Sequence, residues 1–278
     1  MPIDPAVAIG AALGSRELAW SESDVLLYHL ALGATELRYV YERDLVVLPT
    51  FAMVAGTLRD TSAPVLKMPG VDVDLVSALH GRQELTMHKP MPPNGSAVAE
   101  SRIADVYDKG PGSAAIIVTE TVTEYFTSRI SIFVRGEGGF GGSRGPSTTA
   151  EPPALAPDAV LLTKTRPDQA LLYRLLGDRN PLHVDPAFAA LAGFPRPILH
   201  GLCTYGVVCR AVVDSLLDGD PRRVVSYATR FSGVVYPGET LRTLVWSMPG
   251  RLVLTSTVDE RGAAPALSDT TITYVDSL

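Results

Sequence analysis

"HGLCTYGVVCRAVVDSLLDG", residues 200–219, is the stretch on which the fold turns. It reads as one long helix, apolar nearly all round, with Gly219 placed after its end. A helix that is apolar on every side is a buried helix. The most economical way to bury it is to wrap a curved antiparallel sheet around it. The strands for such a sheet are present. "SAAIIVTETVTEYF" (113–126), "SRISIFVR" (128–135), "RLVLTSTVDERG" (251–262) and "SDTTITYVD" (268–276) are dominated by β-branched residues. The expected class is α+β.

The chain has 278 residues, enough for one large domain or two smaller ones. Its 46% hydrophobic content supports a sizeable core, and 19% charged residues exclude a largely disordered or coiled-coil chain. A net charge of −6 and a pI near 5.4 argue against nucleic acid as a partner. No apolar run approaches the roughly 18 residues a membrane span needs. The opening "MPIDPAVAIGAALGSRELAW" lacks a basic n-region, and the closing "YVDSL" is not a peroxisomal address. Cys203 and Cys209 are too few for a disulfide framework or a zinc cluster, and both read as small core residues. A reduced, cytoplasmic protein is the expectation.

"RGEGGFGGSRGPSTTAEPPALAPDA", residues 135–159, has no helical or strand period and reads as a linker between halves 1–134 and 160–278. The halves echo each other. Each carries a Leu-His-Gly, in "ALHGRQE" (78–84) and "ILHGLCT" (198–204). Each follows with two strand-like runs joined by a turn: 83–91 and 96–110 around "PPNG", then 225–235 and 240–248 around "YPGE". Duplication of one α+β unit accounts for that order. Two further helices are expected. Ser21 with Asp24 forms a capping signal before "DVLLYHLALGA", and "RPDQALLYRLLG" has Pro167 in its first turn and Gly177 at its C-cap.

Chemistry concentrates in "GDRNPLHVD", residues 177–185. Asp178 and Asn180 suit a capped turn, a common task for these residues. Asp178, His183, Asp185 and His200 could be drafted as metal ligands, although no known ligand spacing supports them. An acid/base pair needs only one carboxyl and one imidazole around a water-sized gap, and Asp178 and His183 fit that with Pro181 stiffening the chain between them. His29 and His88 read as ordinary half-buried histidines.

The longer stretch "YRLLGDRNPLHVDPAFA" (173–189) resembles the hydratase 2 motif of the MaoC-like (R)-specific enoyl-CoA hydratases. It supplies Tyr173, Gly177, Asp178, Asn180, Pro181, Leu182, His183 and Ala189, and departs at Leu176, where a small or hydroxylated residue is usual. "DKG", "PILHGLCTYG" and "RFSGVVYPGETL" extend the resemblance over nearly the whole chain, as in the long two-domain hydratases. The resemblance implies a double hot-dog fold, each half an antiparallel sheet wrapped around a central helix. It also implies reversible syn-hydration of a trans-2-enoyl-CoA to the (3R)-3-hydroxyacyl-CoA, on long or bulky acyl chains, in fatty-acid or sterol side-chain degradation.

In that reading Asp178 and His183 hold the water, Asn180 orients it or braces the loop, and the Gly201 N–H meets the thioester oxygen. A helix N-terminus suits that anion, and glycine allows its close approach. The first half lacks the motif and becomes an acyl tunnel. His80, Gly81, Lys109, Arg179, Pro181, Leu182 and Phe231 would contact substrate, and a side chain at Gly81 would project into its path. No cofactor or metal is implied, because the CoA thioester is itself the substrate. The alternatives are a dehydratase acting on CoA or acyl-carrier-protein thioesters in synthesis, and a non-catalytic acyl-CoA-binding protein. Monomer and homodimer both stay open.

Overall fold

The computed structural model describes residues 2–146 and 152–276. The first half opens with α1 (Pro5–Ala8), β1 (Ala12–Trp20), α2 (Glu22–Ala31) and α3 (Leu37–Val40). A 3-10 turn at Pro49–Met53 and a small hairpin, β2 (Lys67–Met68) with β3 (Val71–Asp72), precede four long strands. These are β4 (Ala78–Met87), β5 (Gly95–Asp108), β6 (Ala114–Val122) and β7 (Phe126–Arg135). The second half runs β8 (Ala159–Lys164), α4 (Gln169–Tyr173), α5 (Pro186–Leu191) and α6 (Gly201–Leu216). It ends in β9 (Val224–Phe231), β10 (Thr240–Met248), β11 (Arg251–Val258) and β12 (Ala264–Tyr274).

The long strands form one antiparallel sheet in the order β1-β5-β6-β7-β4-β9-β12-β11-β10-β8. From either edge inward the halves follow the same plan: the first strand of the half lies outermost, and the first strand after the helical segment lies at the seam. The duplication read from the sequence is therefore real at the level of topology. The two runs flanking "PPNG" are consecutive but not partners, since β4 pairs with β7 and β9 while β5 pairs with β1 and β6. The seam itself is β4 against β9, from Arg82 opposite Arg230 to Thr86 opposite Ser226.

What fills the concave side differs between halves. In the second half α6 is the buried central helix, with Cys203, Tyr205, Val207, Val208, Cys209, Val212 and Val213 all sealed from solvent. Its two charges do not break that rule. Arg210 lies 3.6 Å from Asp214 and 3.5 Å from Glu36 at the helix edge. In the first half the corresponding place is held by the short turn Pro49–Met53, which packs on α6. The echoed "LHG" letters therefore do not mark equivalent structure, since 199–201 leads into α6 and 79–81 does not open a helix. His80 and Gly81 lie inside strand β4.

Gly81 marks a break in register between His80 and Arg82 against β7. A Cβ there would stand 3.2 Å from the Ser131 carbonyl and 3.3 Å from Phe133 Cβ. The missing side chain lets β7 close on a bulge, so a substitution at Gly81 presses on β7 rather than simply entering a ligand path.

Contacts between the halves reach beyond the seam. α2 is capped as expected, with the Ser21 N–H donating to the Asp24 carboxylate at 2.8 Å. It crosses α6 at Gly206, where an added Cβ would meet Tyr28 Oη at 2.7 Å and Leu32 Cδ2 at 2.8 Å. His29 is fully buried rather than half-buried. Its Nδ1 donates to the Tyr39 carbonyl at 2.9 Å, and its Nε2 accepts the Leu48 N–H at 3.3 Å. The stretch after β7 is fastened as well. The Asp108 carboxylate accepts N–H groups from Gly110, Gly139 and Gly141 at 2.6–2.8 Å.

A C-terminal fragment, residues 152–278, would expose the whole seam edge of β9 and the side of α6 that α2 covers. Unpaired edges and apolar faces of that size promote self-association. The expected outcome in size-exclusion chromatography is aggregate or oligomer for the fragment alone, and a one-to-one complex when residues 1–146 are added. A monodisperse, folded fragment would contradict this interlocking.

Candidate active site

α4 runs into a 3-10 turn at Arg174–Leu176 and stops at Gly177, whose φ of +107° is left-handed. A Cβ at Gly177 would lie 1.7 Å from the Thr57 carbonyl oxygen, so only glycine fits between the halves here. Thr57 Oγ1 donates to the Leu176 carbonyl at 2.9 Å, which ties the turn to the first half.

Beyond the turn the loop braces itself. The Asn180 N–H donates to Asp178 Oδ1 at 3.2 Å, and the Leu182 N–H donates to Asn180 Oδ1 at 3.0 Å. The capped-turn reading is thus correct in part, and Pro181 then opens a single 3-10 turn, Pro181–His183. Asp185 is spent as the N-cap of α5, accepting from Ala187 N–H at 2.8 Å, and stands outside the cluster.

Asp178, His183 and His200 do converge, each offering an atom within 4.8 Å of the others. His183 Nδ1 lies 2.9 Å from the Ile198 carbonyl. A carbonyl can only accept, so Nδ1 carries the hydrogen and the neutral ring keeps its lone pair on Nε2. His200 stacks on that ring, with centroids 3.6 Å apart and planes 26° apart, and the tilted Tyr173 ring lies 4.9 Å from it. Burial lowers the pKa of His183 below 6.5, with the nearby Asp178 charge pulling the other way. Burial pushes His200 lower still, and His183 adds to that shift. Both rings are neutral near pH 7.

His200 is also the N-cap residue of α6, yet its side chain caps nothing. The leading N–H groups of a buried helix therefore stay clear of any side-chain cap, at the end where the macrodipole favours negative charge. Gly201 contributes the first of them, and the Phe231 ring lies 3.1 Å from where a Cβ on Gly201 would be.

These groups open onto a cavity of about 440 Å³ at the seam. Asp178, Asn180, Leu182, His183, Gly201 and Phe231 face it from the second half, and His80 and Gly81 from the first. Three expected contacts are absent from its walls. Lys109 instead hydrogen-bonds the Arg144 carbonyl, Arg179 Nε donates to the Asp60 carbonyl at 3.4 Å, and Pro181 only shapes the loop. Sequence reading missed Leu79, Phe133, Val234 and Leu267, which supply apolar wall. Nothing in their local pattern separates them from ordinary strand residues.

Comparison with known proteins identifies the family of the chain. Residues 148–262 match the MaoC like domain family, and residues 18–136 match the MFE-2 hydratase 2 N-terminal domain family. "Enoyl-CoA hydratase ChsH3" of Mycobacterium tuberculosis is 49% identical, over 96% of this chain and 98% of that protein. "3-hydroxyacyl-thioester dehydratase Y" of the same organism is 41% identical, over 99% of both. The crystal structure of a MaoC-like dehydratase from Phytophthora capsici superposes with a TM-score of 0.89 at 27% identity, covering 99% of each chain. With its double hot-dog sheet, its Asp178–His183 loop and these matches along its length, the chain belongs to the MaoC-like, hydratase 2 family.

Proposed function

We propose that this protein adds water reversibly to trans-2-enoyl-CoA, giving the (3R)-3-hydroxyacyl-CoA, with long or bulky acyl chains as substrates. The observation that carries the reading is the meeting of three features in one cavity: the Asp178 carboxylate, the His183 ring and the uncapped N-terminus of α6.

The chemistry follows from their placement. Water donates one hydrogen to His183 Nε2 and the other to the Asp178 carboxylate. As its oxygen bonds to C3, the electrons of the double bond move toward the thioester oxygen, to which the Gly201 N–H donates. The proton taken from water returns to C2 through the same pair, so none has to enter or leave. Because Asp178 and His183 lie on one side of the substrate, both new bonds form on one face, which is syn addition. No cofactor takes part in this sequence. The same groups run the dehydration, and the second mycobacterial relative carries a dehydratase name. Whether CoA or a carrier protein delivers the acyl group decides between the two directions of use. The first half, through Leu79 and Phe133, would hold the acyl chain. The cytoplasm is the proposed compartment, on the full-length match to bacterial relatives. Among the described residues no helix is long and apolar enough to cross a membrane.

A metal-assisted hydration is the second reading, favoured by the closeness of Asp178, His183 and His200. Stacking opposes it. Two nearly parallel rings 3.6 Å apart direct their in-plane lone pairs side by side rather than onto one ion.

Asp178→Asn and His183→Ala should each lower kcat by about 10²–10⁴-fold while retaining fold and acyl-CoA binding. The double variant should lose little more, because both act on one water. Full additivity, or either single variant within tenfold of wild type, would sink the pair. Incubation with EDTA should leave the rate unchanged, whereas loss restored by a divalent cation would establish the metal reading.

Acid should also unfold the protein early. Burial lowers His29 and His80 to about 4, and lowers His183 and His200 as well, so four of the five histidines stay neutral in the fold. Once unfolded they bind protons below about 6.5, which the folded state refuses. Stability is therefore complete above that pH and falls as pH drops from 6.5 toward 4. Urea midpoints measured across this window should fall steadily, and a flat profile would show that these rings titrate freely.

A further inference from the structure

Among the first-half residues that wall the cavity, His80 also packs on an aromatic ring of the second half. His80 lies beside the bulge that Gly81 allows, and bulges re-aim neighbouring side chains. Its Nε2 stands 3.2 Å from the Arg82 carbonyl, which fixes Nε2 as the protonated nitrogen. Its ring meets Phe231 of the other half edge to face, with centroids 4.7 Å apart and planes at 62°. Phe231 in turn lies against the Cα of Gly201, with Cδ1 and Cε1 each 3.1 Å from an added Cβ. The chain of contact runs from strand β4 across the seam to the first residue of α6. Desolvation lowers His80 to about 4, so this wedge is uncharged near neutral pH.

We propose that His80 is a positioning residue for the hydration, acting through Phe231 to hold the Gly201 N–H against the thioester oxygen. The inference rests on the hydratase reading above and assigns to the non-catalytic half a part in the chemical step. The physical reason is the steep distance dependence of oxyanion stabilisation. Donors act at 2.7–3.1 Å from the developing charge and lose effect when displaced or hydrated. A Phe231 ring free to turn would loosen both Gly201 and the exclusion of water beside it. An edge-to-face neighbour removes that freedom.

The variants are His80→Ala, which removes the wedge, and His80→Phe, which keeps an aromatic edge without ring nitrogens. Turnover of a trans-2-enoyl-CoA gives kcat and KM. A conjugated dienoyl-CoA gives a second signal, because its absorbance moves to the red when a bound donor polarises the thioester carbonyl. His80→Ala should lower kcat by roughly 10- to 100-fold, the range expected of a displacement below an ångström. KM should change far less, and the red shift should shrink with kcat. His80→Phe should restore most of both. Asp178→Asn serves as control: it should lose turnover yet keep the red shift.

Unchanged kcat and red shift in His80→Ala would overturn the proposal. So would a rise in KM alone, or a Phe variant as impaired as the Ala variant, since either would make the imidazole a direct substrate contact. If His80→Ala does not fold, His80→Leu keeps the volume without the aromatic edge and is read the same way. Wild-type protein that neither hydrates enoyl-CoA nor shifts the dienoyl band would instead refute the hydratase reading itself.

Discussion

A helix buried over most of its length yet left uncapped at one end is the constraint from which the site follows. α6 has few polar groups, so the sheet must close around it and α2 must cover the side that remains, down to the contact at Gly206. Ordinarily a Ser, Thr, Asp or Asn at its N-cap would consume the leading N–H groups. His200 stands there instead and turns its ring onto His183. The fold thereby carries an anion-accepting helix end into a cavity walled largely by apolar side chains, where such donors count for more than in bulk water.

The other chemical groups are held to that helix end by the first half. Gly177 turns against the Thr57 carbonyl, and Thr57 Oγ1 grips the Leu176 carbonyl, so the loop bearing Asp178 and His183 is clamped from outside its own half. β4 supplies the facing wall of the cavity. Topology shows two copies of one unit, but only one retains a full central helix and the acid/base loop. The other packs only the short turn Pro49–Met53 on α6 and supports its partner.

How much of this was legible in the sequence depends on the range of the interaction. α6, the capping box of α2 and the Gly177 stop are written in neighbouring residues, and each was readable. The Asp178–His183 pair was readable because both lie in one stiff loop. The outer strands were not. β1 shows little burial alternation, since most of its residues are exposed, and β8 is only six residues long beside a Pro-rich stretch. The repeated "LHG" misled because three letters carry no topology, and one copy is a strand while the other opens a helix. Lys109 and Arg179 were expected to contact substrate, but their side chains reach tertiary carbonyls, those of Arg144 and Asp60, which no local pattern announces. Stacking of His200 on His183 joins residues seventeen positions apart through a loop whose path no local pattern reveals.

The central claim is that one water, held on one face by Asp178 and His183, supplies both new bonds. Hydration of a trans-2-enoyl-CoA in deuterated water, with the product examined by proton NMR and chiral analysis, tests it most directly. The expected product is a single diastereomer, with deuterium at C2 and hydroxyl at C3 added to the same face and the (3R) configuration at C3. A mixture of C2 epimers, anti addition or the (3S) alcohol would contradict it.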